Sequence, residues 1–113
     1  MWKDDKDEIL ELYIELKKIK EFPAKCPVCG KKSAHLYMDI HNFETRRGGL
    51  WVWCSKCYTF SHSSIYVPEY WKNCPLVEDE KLCAIPDYLN EIKEVIDAHV
   101  DSIIKNRTSK EIC

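Results

Sequence analysis

Seven cysteines stand in this 113-residue chain, and four of them form two Cys-x-x-Cys pairs, Cys26-Pro27-Val28-Cys29 and Cys54-Ser55-Lys56-Cys57, separated by 24 residues. Each pair can fold as a tight turn whose backbone N–H groups point at its sulfurs. Four thiolates complete a tetrahedral Zn²⁺ shell with no open position for substrate, which stabilises a fold rather than turning over a reactant. A redox dithiol uses one such pair at the start of a helix in a βαβ unit, whereas both pairs here adjoin strand-like segments. A disulfide framework needs an oxidising compartment, yet the chain opens on the charged Met1-Trp2-Lys3-Asp4-Asp5 with no apolar leader, and seven cysteines would leave one unpaired. The expectation is one structural zinc per chain held by Cys26, Cys29, Cys54 and Cys57 in a reduced, cytoplasmic protein. Four thiolates also suit iron, so the spacing leaves zinc against iron open. Cys74, Cys83 and Cys113 are spaced too irregularly for a second site and read as small buried hydrophobes or a tail thiol.

The histidines carry less. His62 follows Cys57 closely, but four thiolates already saturate zinc, and no neighbouring Ser, Asp or Glu completes a nucleophile arrangement around it. His35 and His41 lie on one face of a strand-like stretch and read as surface or packing residues, and His99 as a boundary residue of a helix. No catalytic residue is expected.

Periodicity supplies the secondary structure around the cysteines. Over residues 4–21, Ile9, Leu12, Tyr13, Leu16 and Ile19 recur at three and four, acids crowd the start and lysines the end, so an amphipathic helix is expected there. Phe22-Pro23 stops it. Between the pairs, Ala34, Leu36, Met38 and Ile40 alternate with His35, Tyr37, Asp39 and His41. Arg46-Arg47-Gly48-Gly49 reads as a turn, and residues 50–53 as a strand returning to the second pair. A third strand covers residues 58–67. Residues 68–85 form an aromatic and then polar connection, and residues 86–106 a second amphipathic helix opened by Asp87, with Leu89, Ile92, Ile96, Val100, Ile103 and Ile104 on its apolar face. The whole is expected to be a single α+β domain: a three-stranded antiparallel sheet spanning residues 22–67, flanked by the two helices, which bury their stripes on it or on each other. No apolar run approaches the ~20 residues that a bilayer requires, so no membrane association is expected.

Charge is divided unevenly: residues 1–21 carry −2, residues 22–77 carry +4 and residues 78–113 carry −4. Four thiolates on one Zn²⁺ add a further −2, which halves the basic centre. Trp51 and Trp53 share one face of their strand, and Leu50 and Val52 the other, so either the strand is covered on both sides or Tyr37, Trp51 and Trp53 are aromatic anchors of a binding surface. Lys25, Lys31, Lys32, Arg46, Arg47 and Lys56 could meet phosphates beside those aromatics, but the acidic flanks and a pI near 6.1 oppose a polyanion. Glu78-Asp79-Glu80 reads as a solvated loop or an acidic docking patch.

The stretch Cys26-Pro27-Val28-Cys29-Gly30 resembles the first knuckle of the zinc-ribbon group, with Gly30 giving the backbone freedom that brings an N–H to a sulfur. The resemblance covers about residues 22–67 and implies the four cysteines as ligands and a zinc-ribbon sheet. The second knuckle departs from it, with Tyr58 where glycine is common. More narrowly, Gly48-Gly49-Leu50-Trp51-Val52-Trp53-Cys54-Ser55-Lys56-Cys57, with His62-Ser63-Ser64 and Pro68-Glu69-Tyr70-Trp71, is similar to small bacterial immunity proteins encoded beside polymorphic or contact-dependent toxins. That resemblance implies a non-enzymatic, stoichiometric inhibitor whose partner is a cognate toxin domain. A nucleic-acid-binding ribbon is the alternative.

Overall fold

A computed structural model describes residues 2–4 and 8–112, with side chains through Lys105. The architecture is a small mixed α+β fold around one mostly antiparallel sheet. Its strands are β1 (Lys3–Asp4), β2 (Ala24–Lys25), β3 (Lys32–Asn42), β4 (Arg47–Cys54) and β5 (Thr59–Tyr66). Their spatial order is β1-β5-β4-β3-β2, with β1 parallel to β5 and the other pairs antiparallel. The expected three strands are therefore the centre of a five-stranded sheet whose outer members are two residues long.

β3 and β4 begin or end at the cysteine turns and pair along their whole length, from Ala34 opposite Cys54 to Asn42 opposite Arg47. The Gly48-Gly49 pair, expected in a turn, lies inside β4 instead. A Cβ on Gly48 would sit 2.0 Å from the Asp39 carbonyl oxygen, so close strand approach explains glycine there. The reversal falls earlier, at residues 43–46, and Arg46 closes it with a φ of 61°. Its guanidinium then bonds the carbonyls of Val67, Pro68 and Trp71, which folds residues 67–71 back over the turn.

The amino-terminal helix expected over residues 4–21 is not formed as such. Residues 3–4 join the sheet as β1, and the helical part is reduced to a single α-turn, α1 (Glu11–Ile14), and a 3₁₀ turn, Leu16–Lys18. The apolar stripe is nevertheless placed as its period required, with Ile9, Leu12 and Leu16 all buried. A short helix has a costly nucleus, so packing decides its length. Phe22-Pro23, a cis peptide, leads into β2, and the Phe22 N–H donates to Asp101 at 2.7 Å.

The carboxy-terminal helical segment starts at Asp87 as expected but is broken at Ile92 into α2 (Asp87–Glu91) and α3 (Lys93–Ile112), the latter running past the expected end. α3 packs on β3. Leu89, Ile96, Val100, Ile103 and Ile104 are buried, joined in one core by Leu36, Met38, Val52 and Trp53. Among the described residues, no helix is long and apolar enough to cross a membrane.

Candidate metal centre and its supports

The two Cys-x-x-Cys turns face each other at one end of the sheet. The sulfurs of Cys26, Cys29, Cys54 and Cys57 all lie within 4.8 Å of one another. Cys26 Sγ is 3.8 Å from Cys57 Sγ, and Cys29 Sγ 3.6 Å from Cys54 Sγ. A tetrahedron with metal–sulfur bonds of about 2.3 Å has edges of about 3.8 Å, so the cluster is positioned to hold a metal ion.

Both turns have the same internal wiring. The N–H groups of Val28 and Cys29 point at Cys26 Sγ, at 3.3 and 3.5 Å. Those of Lys56 and Cys57 point at Cys54 Sγ, at 3.4 Å each. Each turn is closed by a residue in the left-handed region: Gly30, with φ 78°, donates to the Cys26 carbonyl, and Tyr58, with φ 59°, donates to the Cys54 carbonyl. Tyr58 thus takes the conformation that glycine supplies in the first turn, at a cost of about 1 kcal/mol. Its ring stands edge-on to Trp2 at 5.1 Å, and its carbonyl accepts from the Lys3 N–H, which anchors β1.

Two hydroxyls complete the sulfur environment: Ser33 Oγ is 3.0 Å from Cys54 Sγ, and Thr59 Oγ1 is 3.3 Å from Cys57 Sγ. Burial pushes Cys26 up to about 12, against its two N–H bonds, and the negative charge of Cys54 adds to the rise. At Cys54 burial also raises, but the Cys57 N–H, the Ser33 hydroxyl and the Lys56 N–H outweigh it and lower that thiol to about 6. Cys54 therefore deprotonates first. A cation at the centre reverses the cost of the remaining thiolates, because metal binding expels their protons.

Behind the second turn lies an arrangement that strand alternation does not reveal. His35, read as a polar surface residue, is 2% exposed and clamped between two elements. Its Nδ1 lies 2.8 Å from Asp97 Oδ1 on α3, and its Nε2 is 3.1 Å from the hydroxyl of Ser55, inside the second cysteine turn. The ring also stacks on Trp53 at 5.4 Å. The Asp97 carboxylate can only accept, so Nδ1 donates to it. The order Asp-His-Ser matches a nucleophile relay, but the N–H groups that an oxyanion would need are engaged: Ser55 N–H bonds the Ser33 carbonyl, and the next two bond Cys54 Sγ. The relay ties α3 to the metal turn. The one available signal in the sequence was an acid on the inward edge of the last helix facing a histidine-bearing strand.

The aromatic residues resolve to the covered arrangement. Trp51 is 3% exposed and Trp53 and Tyr37 are fully buried, so they form no binding face. Tyr37 faces Trp51, and Trp51 faces His62, along the register. His62 stacks on Trp51 at 4.5 Å, and its Nδ1 meets the Leu50 carbonyl at 3.2 Å. His41 is bonded to Asp39, and His99 Nε2 to the Lys72 carbonyl. Asp39, buried on the same face, borders a cavity of about 480 Å³ also lined by His41, Asn73 and Asp79. Burial and then the neighbouring Asp79 raise its carboxyl to about 6. Cys74 is buried, Cys83 is exposed, and Cys113 lies outside the described residues. Searches against protein-family descriptions, curated proteins and solved structures return no match for this chain.

Proposed function

We propose that this protein is a non-enzymatic binding module stapled by one zinc ion, and that its partner is a protein, of the kind that an immunity-type inhibitor neutralises: a cognate bacterial toxin domain. Zinc fits a closed set of four thiolates braced by N–H and hydroxyl donors, and such a shell leaves no position for substrate. The centre is thus scaffold, and the binding surface must be sought among exposed residues.

The observation that carries the reading is the connection over residues 68–85. It exposes Leu76 (70%) and Ile85 (45%) on either side of the exposed carboxylates Glu78, Asp79 and Glu80. Apolar anchors beside a block of one charge fit a basic protein surface, with the charges guiding encounter and the apolar groups holding the complex. Nucleic acid is less well served. Its stacking platform would have to be Tyr37, Trp51 and Trp53, which are buried, and Arg46 is consumed by three carbonyls.

The test is co-expression with the product of a toxin-like reading frame lying immediately beside this one. Growth should be rescued and the two chains should co-purify. Leu76→Asp together with Ile85→Asp should abolish both while leaving the fold intact by circular dichroism. Absence of any complex, alongside tight, salt-dependent oligonucleotide binding, would overturn the proposal in favour of a nucleic-acid-binding ribbon.

A further inference from the structure

The two edges of the sheet are finished differently. At the β3 edge, β2 covers Lys32 and Ala34; beyond it, Trp71 Nε1 donates to the Met38 carbonyl at 2.7 Å, and the Asn73 amide bonds both the N–H and the carbonyl of Ile40. That edge is closed. At the other edge, β1 pairs only with Thr59 and Phe60 of β5. In an antiparallel ladder alternate residues turn their polar groups to opposite sides. The Met38 and Ile40 bonds show that even-numbered residues of β3 face away from β4, so the ladder aims the odd-numbered residues of β5 at β4 and His62, Ser64 and Tyr66 outward. Among the described residues, no backbone hydrogen bond reaches the outer side of residues 62–66.

Natural edge strands are blunted by lysine, proline, inward charge or a bulge. The run Ser61-His62-Ser63-Ser64-Ile65-Tyr66 has none of these: no acid, lysine, arginine or proline, and β5 pairs with β4 without a bulge. We propose that this edge is where a second copy of the chain adds, β5 against β5, antiparallel about a two-fold axis at Ser64. In that register Ser64 meets Ser64, His62 meets Tyr66 of the second copy, and Ser63 meets Ile65. Small residues meet at the axis, an aromatic pair forms at each end, and no like charges oppose, which is the self-complementarity an isologous interface requires. β1 does not obstruct it, because Thr59 and Phe60 fall opposite residues 69 and 68 of the second copy, beyond the end of its β5. The formal charge of −2 per chain is too small to hold two copies apart.

This self-association does not depend on the toxin-type partner, and its test does not involve that partner. Sedimentation equilibrium of the zinc-loaded protein, from micromolar to millimolar, should give twice the 13.4 kDa chain mass at the upper end. Ser64→Lys and Ser64→Asp each place like charges on the axis, and each should stay at single-chain mass with an unchanged circular dichroism spectrum. An equimolar mixture of the two variants should recover the doubled mass as a heterodimer. A wild-type protein that stays at single-chain mass overturns the proposal. So does a dimer that survives both substitutions, or variants that fail to combine when mixed.

Discussion

Replacing His35 is the sharpest test of how the metal turn is held. In His35→Ala the Asp97 carboxylate loses the donor at 2.8 Å, Ser55 loses its contact at 3.1 Å, and Trp53 loses the ring stacked at 5.4 Å. A hydrogen bond to a charged group contributes about 2 kcal/mol. The aromatic stack adds about 1 kcal/mol, and the cavity left by the ring about 1 kcal/mol more. The variant should therefore lose about 4 kcal/mol, a large share of the total that a domain of this size possesses. Asp97→Asn keeps an oxygen that accepts from Nδ1 and loses only the charge, so about 1 kcal/mol is expected. Equilibrium urea unfolding of zinc-loaded protein measures both, and the double variant isolates the pair, with an expected coupling of about 2 kcal/mol. A loss below about 1 kcal/mol for His35→Ala, or a coupling near zero, refutes the clamp.

Protein purified without added metal should contain about one zinc per chain by elemental analysis, and Cys29→Ser or Cys54→Ser should fail to fold stably; full retention of structure after chelation contradicts a structural metal. Asp39 has its folded-state value raised to about 6 from 3.8, so its protonated form favours the fold. Its contribution is present below about pH 4 and is lost as the pH rises through about 6; Asp39→Asn should remove that limb from the stability profile and unfold at equal or higher urea at pH 7. Tyr58→Gly relieves the left-handed backbone but forfeits the Trp2 contact at 5.1 Å, and Trp2→Ala removes that contact alone. Combined, they should be more stable than Trp2→Ala by about 1 kcal/mol, and a further loss instead would show that the second turn gains nothing from glycine. Trp51→Phe removes the indole N–H that holds the Cys83 carbonyl at 2.8 Å; amide exchange should quicken across residues 78–85 while the sheet stays protected, and uniform protection would disprove the link.

Legibility in the sequence depended on how local each cause was. The cysteine turns are local: their spacing and Gly30 name them, and four sulfurs meet as spacing implied. The alternation over residues 34–40 located the core of β3 for the same reason. What failed was inference about coverage. His35, Tyr37 and Asp39 alternate with apolar residues and therefore read as a wet face, yet α3 and the 68–85 connection lie over it, so all three are buried. Period alone cannot separate a polar face in water from a polar face whose hydrogen bonds are supplied by another element. The amino-terminal segment erred oppositely: its three-four spacing chose the right buried residues, Ile9, Leu12 and Leu16, but pairing of residues 3–4 with β5 competed with the helix and shortened it.

The indole N–H groups show how a small core specifies its surroundings. Trp2 donates to Asp87, Trp51 to the Cys83 carbonyl, Trp53 to Asn90 and Trp71 to the Met38 carbonyl. Three of these bonds tie α2 or the connection to residues on or beside the sheet, and the fourth ties Trp71 of the connection to β3. An indole buried without a partner is costly, so each bond selects one placement of the irregular segment from the many that hydrophobic contact alone would allow. The metal acts at the opposite end in the same sense, joining two turns that carry little apolar surface of their own. Zinc and tryptophan therefore divide the molecule: thiolates hold the end where the strands reverse, and indoles hold the connection that carries Leu76, Glu78, Asp79, Glu80 and Ile85. A partner that reads that connection reads a shape set from beneath by the core, so binding should respond to Trp51 although the tryptophan itself is out of a partner's reach.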